Sequence, residues 1–145
     1  MNEFQRCLQE GRLVRIEPSP ALVSKELGSA EYDLHRAEES LGKGDFKWAS
    51  VQAYYAMFHA AKALVLSKGY REKGHYCLIV ALRELFVGPG ELDASIGDDL
   101  ELCMDIRHEA DYSLVFSGEN AALAVRSARR TVEVALDALR DSLSS

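Results

Sequence analysis

The sequence predicts an all-α fold, an up-and-down bundle of four to five helices. Apolar residues recur at three- and four-residue steps over most of the chain, and glycine and proline break that rhythm at helix-length intervals. No alternating run is long enough for a sheet, so helices joined by short connections are the economical architecture. The 145 residues, 48% of them apolar, suffice for one continuous core. We read residues 19–145 as a single helical domain preceded by an N-terminal arm, residues 1–18.

In the arm, Phe4 to Leu8 has a weak helical pattern, and Arg12-Leu13-Val14-Arg15-Ile16 looks extended before Pro18. From Ser19, the residues Val23, Leu27, Ala30, Leu34, Ala37 and Leu41 form one apolar stripe; Ser19 can cap this helix, Pro20 suits its first position, and Gly42 and Gly44 end it. Asp45 can cap the next helix, which runs to about Lys68. Trp48, Val51, Tyr54, Phe58, Ala61, Leu64 and Val65 make it apolar on several faces, as expected of a central element. Gly69 to Gly74 reads as a loop, and Leu78, Leu82 and Leu85 give a shorter helix stopped by Gly88-Pro89-Gly90. A fourth segment carries Ile96, Leu100, Cys103, Arg107 and Ala110 on one stripe, which places an arginine on an apolar face. After Tyr112 to Phe116, Ser117 begins a long last helix with Ala121, Val125, Ala128, Val132, Leu136 and Leu139 inward. Arg126, Arg130 and Glu133 fall on its polar side.

Seventeen Lys/Arg against 23 Asp/Glu give a formal charge of −6, the wrong sign for a protein held on nucleic acid mainly by phosphate neutralisation. Any RNA contact must come from a local patch, and no DNA partner is expected. Cys7, Cys77 and Cys103 are an odd, widely spaced set in apolar segments, which suggests buried thiols and neither a disulfide framework nor a zinc site. The chain opens without a signal pattern and has no run near the ~18 apolar residues of a membrane span, so a reduced cytoplasm is the expected compartment, with no membrane partner.

Three groups can carry chemistry. Arg107 and Asp111 lie one turn apart beside Tyr112, and base-before-acid near a helix C-terminus is a poor order for helix stabilisation alone. The competing reading is a partly buried ion pair pinning the helix. Gln52, Tyr55, His59 and Lys62 share a stripe and can line a cleft, or else Tyr55 and His59 are hydrogen-bonded core residues with Lys62 reaching to water. Gly74-His75-Tyr76 opens a helix, where backbone amides and His75 can receive a phosphate, although a plain helix start is the leading explanation. Arg126, Arg129 and Arg130 form the basic cluster, read as a solvated face salt-bridged with Glu133 and Asp137. His35, His59, His75 and His108 have no metal-ligand spacing, and no phosphate loop or nucleophile elbow is present, which disfavours a small-molecule metabolic enzyme. No metal or cofactor is expected.

The run Ala53-Tyr54-Tyr55-Ala56-Met57-Phe58-His59-Ala60-Ala61-Lys62-Ala63-Leu64, then Gly69-Tyr70 and His75, then Arg107-His108-Glu109-Ala110-Asp111-Tyr112, resembles the archaeal and bacterial HEPN family, from about Gly11 to the last helix. The resemblance implies a helical bundle that commonly dimerises and is often paired with a small nucleotidyltransferase as a toxin–antitoxin module. It also implies a metal-independent RNase motif of Arg, a polar residue, and His five to seven positions after the Arg. Arg107 and His108 match the first two positions, but Tyr112, Ser113 and Leu114 stand where the His belongs. A tyrosine, with a pKa near ~10, is poorly suited to taking the proton of a 2′-hydroxyl. His108 points about 100° away from Arg107 on a helix.

The favoured reading is thus a HEPN module with catalysis weakened or lost. It binds a nucleotide, RNA or its partner through Arg107, His108, Asp111 and Tyr112, in a cleft lined by Tyr55, His59, Lys62 and His75. Tyr112 is also placed to accept AMP from a nucleotidyltransferase, as a tyrosine near this motif does in related toxins. The alternatives are an active endoribonuclease toxin using His108 or His75, and a structural helical adaptor.

Overall fold

The computed structural model describes the backbone of residues 1–112 and 117–143 and the side chains of residues 1–108 and 117–140. Six helices are present among the described residues: α1 (Glu3–Gln9), α2 (Pro20–Gly42), α3 (Phe46–Ser67), α4 (His75–Leu82), α5 (Ala94–Tyr112) and α6 (Gly118–Leu143). A π-helical turn, Arg83–Val87, continues α4.

Local chemistry sets most boundaries. The Ser19 hydroxyl accepts from the Leu22 amide at 3.2 Å, with Pro20 in the first position of α2. The chain leaves α2 through Gly44, at φ +75°, a conformation that glycine adopts without strain. Ser117 caps α6 by accepting from Asn120. Asp45 holds the N-cap position of α3 but makes no side-chain capping bond there.

The central helix is α3, which packs against α2, α5 and α6. Its alanines at 49, 53, 56, 60, 61 and 63 are fully buried, and such small side chains let neighbouring helices approach closely. Tyr54, Met57 and Leu64 fill the remaining space. Trp48, expected among the apolar faces of this helix, is 51% exposed and has Lys47 over its ring. The inward stripe of α6 follows the predicted spacing with Ala124, Thr131 and Ala135 added, while Leu136 is only half-buried.

Two further features depart from the sequence reading. Residues expected to be extended or loop form an antiparallel ribbon of β1 (Leu13–Arg15) and β2 (Tyr70–Glu72), pairing Leu13 with Glu72 and Arg15 with Tyr70. Strands of three residues are too short for alternation to reveal. Gly69 leads into β2 at φ +85°, and a Cβ there would sit 3.2 Å from the Ile16 carbonyl oxygen. Cys7 and Cys77, expected as separate thiols, are joined as a disulfide across 70 positions, with Cα atoms 5.9 Å apart. The odd cysteine count concealed this pair, and the cysteines no longer argue for a reducing compartment. Cys103 remains a buried thiol whose pKa burial pushes up to about 12. No helix among the described residues is long and apolar enough to cross a membrane.

Candidate functional site

Two polar clusters rise from the same side of α3, about one turn apart. The first gathers Arg107 from α5, Tyr54, Tyr55 and Phe58 from α3, and His75 from the start of α4. The Arg107 guanidinium lies 5.6 Å from the centre of the Tyr54 ring and 5.5 Å from that of Tyr55, and its Nη2 donates to the Tyr55 hydroxyl at 3.3 Å. Tyr54 is buried, while Tyr55, Phe58, His75 and Arg107 are half-buried. The His75 ring packs 4.6 Å from that of Phe58, and its Nδ1 is 2.6 Å from the Tyr54 hydroxyl.

The protons in that last contact can be assigned. Burial pushes the Tyr54 pKa up to about 12, so its hydroxyl stays protonated at neutral pH. Burial, and then the Arg107 charge, hold His75 below the ordinary histidine value, so it is neutral. A buried hydroxyl hydrogen-bonded to this nitrogen must donate to it or strand its own proton. Nδ1 is then the acceptor and Nε2 carries the proton. The cluster thus offers a guanidinium and an imidazole N–H donor, with the half-buried rings of Tyr55 and Phe58 alongside. No side chain caps α4 at Gly74, which leaves its first amides without that partner. These donors and rings suit a phosphate and a base that stacks.

The second cluster is built on carboxylates. His59 Nδ1 meets Glu26 of α2 at 2.6 Å and its Nε2 faces Asp33 at 3.6 Å. Lys62 Nζ lies 3.6 Å from Glu26 and 3.6 Å from Glu72 of β2. Burial raises the pKa of Glu72, opposed by Lys62, and likewise that of Asp33, opposed by His59. Three acids face two bases, an arrangement that repels an anion.

Of the residues singled out in the sequence, the structure brings Arg107, Tyr55 and His75 together. His59 and Lys62 belong to the carboxylate network. Gln52 lies farther along α3, 2.7 Å from Ser40 of α2. His108 is exposed on α5. The side chains of Asp111 and Tyr112 lie outside the described residues. Arg129 and Arg130 form ion pairs as expected, but with Glu38 of α2 and Asp99 of α5. Sequence reading missed the role of the Tyr54 hydroxyl, and it missed Glu26 and Asp33, whose seven-residue spacing on α2 was the available signal. Among the described residues no group of three His, Cys, Asp or Glu side chains is placed to hold a metal ion.

The fold and this cluster define a helical-bundle protein with an arginine–tyrosine–histidine cluster packed on its central helix. The pattern of the HEPN domain matches residues 23–141, most of the chain, and the protein belongs to the HEPN domain family. Two Methanocaldococcus jannaschii proteins bearing the name "Putative toxin" are 33% identical over 84 residues and 28% identical over 90. These matches cover 58% and 62% of this chain and span 63% and 61% of those relatives' lengths. A UPF0332 protein of Pyrococcus horikoshii is 36% identical over 51% of this chain and 52% of its own. The crystal structure of TT1696 from Thermus thermophilus superposes with a TM-score of 0.67 over 81% of this chain and 98% of that one. At 20% identity, that likeness is one of fold.

Proposed function

We propose that this protein is the HEPN component of a toxin–antitoxin-type module. It acts in the cytoplasm beside a small nucleotidyltransferase and binds single-stranded RNA or a nucleotide through a dimer cleft, with catalysis weakened or lost. The observation that carries this reading is the Arg107 guanidinium lying over the adjoining rings of Tyr54 and Tyr55, next to a neutral His75. Arg107 supplies the charge for a phosphate, His75 Nε2–H a second donor, and Tyr55 and Phe58 surfaces for a base. Asp111 and Tyr112, which follow Arg107 in sequence, complete the motif, with Tyr112 as a candidate AMP acceptor. The naming of two relatives as toxins supports the module assignment.

The weakened catalysis follows from proton placement. Metal-free cleavage needs a base near neutral pKa to take the 2′-hydroxyl proton. In the tautomer fixed by Tyr54, His75 has its basic nitrogen occupied, and Tyr112 stands where the family has histidine. The second reading, an active endoribonuclease, draws on the same His75: its lowered pKa keeps the imidazole neutral, and turning the Tyr54 hydroxyl would free a basic nitrogen.

The deciding experiment measures binding and cleavage of single-stranded RNA in EDTA. We expect wild type to bind without cutting, Arg107→Ala to lose binding, and Tyr112→His to gain cleavage. Cleavage by wild type that Arg107→Ala abolishes would establish the second reading. Unchanged binding in Arg107→Ala would reject the site.

A further inference from the structure

Outside both clusters, a groove of about 660 Å³ opens between α1, α4 with its π-helical turn, and α5. Phe4, Tyr76, Ile79, Val80, Val87 and Met104 give it an apolar lining, and Tyr76 is 55% exposed although it belongs to a wall. Along α4 and the turn, the lining residues recur at three- and four-residue steps from Tyr76 to Val87. On α5 they do so through Ala94, Asp98, Glu101 and Met104. These two walls are therefore each one helical face, about three turns or about 15 Å long, and the start of α1 adds Asn2, Glu3 and Phe4.

The charge around this lining is one-sided. Glu3, Glu84, Asp98 and Glu101 border the groove, and among the described residues Arg83 is its one lining cation: four carboxylates against one guanidinium, an excess of three negative charges. Arg83 is itself held against α5, donating to Asp98 at 3.0 Å and to Glu101 at 2.8 Å. Gly97 makes this possible, because a Cβ there would lie 2.9 Å from the Arg83 Nε. The π-helical turn closes with the Gly88 amide on the Arg83 carbonyl at 2.8 Å. Its wider winding re-aims Arg83, Glu84 and Val87 relative to an unbroken α-helix, a distortion that occurs often at functional sites.

We propose that this groove docks a basic amphipathic helix of a protein partner. The apolar residues of α4 and its π-helical turn, spread over three turns on either side of the Arg83 ion pairs, fit a helix that offers anchors at i, i+3 or i+4 and i+7, and the acidic border selects lysines or arginines on the flanks of that helix. The same border repels RNA, so this surface is separate in chemistry from the Arg107 site, and protein and nucleic acid do not compete for it.

The test uses the full chain and two fluorescent, side-chain-stapled helical peptides of about 14 residues, with leucines at the anchor positions. One carries lysines on its flanks and the other glutamates. We expect the lysine peptide to bind at least about tenfold more tightly, with the difference shrinking at high salt. Val80→Glu and Glu84→Lys should each weaken the lysine peptide about tenfold. Tyr76→Ala, at an exposed side chain, serves as the apolar variant if circular dichroism shows Val80→Glu misfolded. Equal affinity for the two peptides, binding of neither, or affinity indifferent to these variants would overturn the proposal. So would sedimentation in which Val80→Glu or Tyr76→Ala turns a dimer into a monomer, since the groove would then be closed by a second copy.

Discussion

Tyr55 and His59 stand one turn apart on α3, yet they belong to clusters of opposite character. His59 meets Glu26 and Asp33, and Lys62 beside it meets Glu26 and Glu72. Tyr55 instead meets Arg107, and its neighbour Tyr54 holds His75. Position on the helix is nearly the same, so the difference lies in what the opposing elements contribute. At His59 and Lys62, α2 and β2 supply acids that absorb positive charge. At Tyr55, α5 supplies a cation and α4 a neutral imidazole, a pair of donors suited to an anion. What a polar stripe on a buried helix can bind is therefore decided by the elements packed against it.

The sharpest way to break this comparison is to remove Lys62. Glu72 is only 8% exposed at its side chain, and its Oε1 has no hydrogen-bond partner, so Lys62→Ala leaves a buried carboxylate facing Glu26 with little compensation. We expect urea unfolding to show a loss of about 2 kcal/mol, below the full cost of a buried pair because Lys62 is partly exposed, with RNA affinity of the folded variant unchanged. A negligible shift would mean that the carboxylate network does not hold α2, α3 and β2 together. Arg107→Ala should do the reverse. RNA affinity by fluorescence anisotropy should fall about tenfold or more, roughly 1.4 kcal/mol, while stability changes less than in Lys62→Ala. Arg107→Lys should recover only part of the affinity, since an ammonium keeps the charge but loses the planar, forked donors.

Much of this was legible before any coordinates. The stripes of α2 and α6, the broadly apolar α3 and the breaks at Gly42, Gly44 and Gly88 place the bundle, because a 3.6-residue period repeated over about five turns is hard to mimic and a helix apolar on several faces belongs at the centre. The arginine on an otherwise apolar face of α5 marked the candidate site for the same reason. Contacts between residues distant in the chain left no such trace. The ribbon of Leu13–Arg15 with Tyr70–Glu72 and the Cys7–Cys77 bond join segments about 55 to 70 positions apart, and neither has a local period. The split of the α3 stripe into two clusters was hidden too, since it depends on Glu26, Asp33 and Glu72 arriving from elsewhere.

Tyr54→Phe addresses the Arg107 cluster with a smaller expected effect. It removes one partly buried hydrogen bond, for a loss of about 1 kcal/mol, and leaves the ring under Arg107 in place. Its decisive readout is the His75 tautomer by nitrogen NMR. Wild type should carry the proton on Nε2, and the variant should lose that preference. A proton on Nδ1 in wild type would reverse the assignment and leave Nε2 free to act as a base.

The smallest effect separates the two clusters by the sign of a pH slope. His75 is held below its ordinary 6.5, first by burial and then by Arg107, so the native state binds fewer protons than the unfolded chain as pH drops below that value. Its stabilising contribution is fully present above about pH 6.5 and is lost as pH falls through the lower folded value. Glu72 is raised above its ordinary 4.5 by burial, against the pull of Lys62, and Asp33 is raised above 3.8 in the same way. Their contributions are fully present below the ordinary carboxylate values and are lost as pH rises through the raised ones. Urea unfolding across this range should therefore show His75→Gln removing a component that climbs with pH near 6.5, and Glu72→Gln removing one that declines with pH in the range above 4.5. If both substitutions change the slope in the same direction, the two clusters do not differ in the way their partners imply.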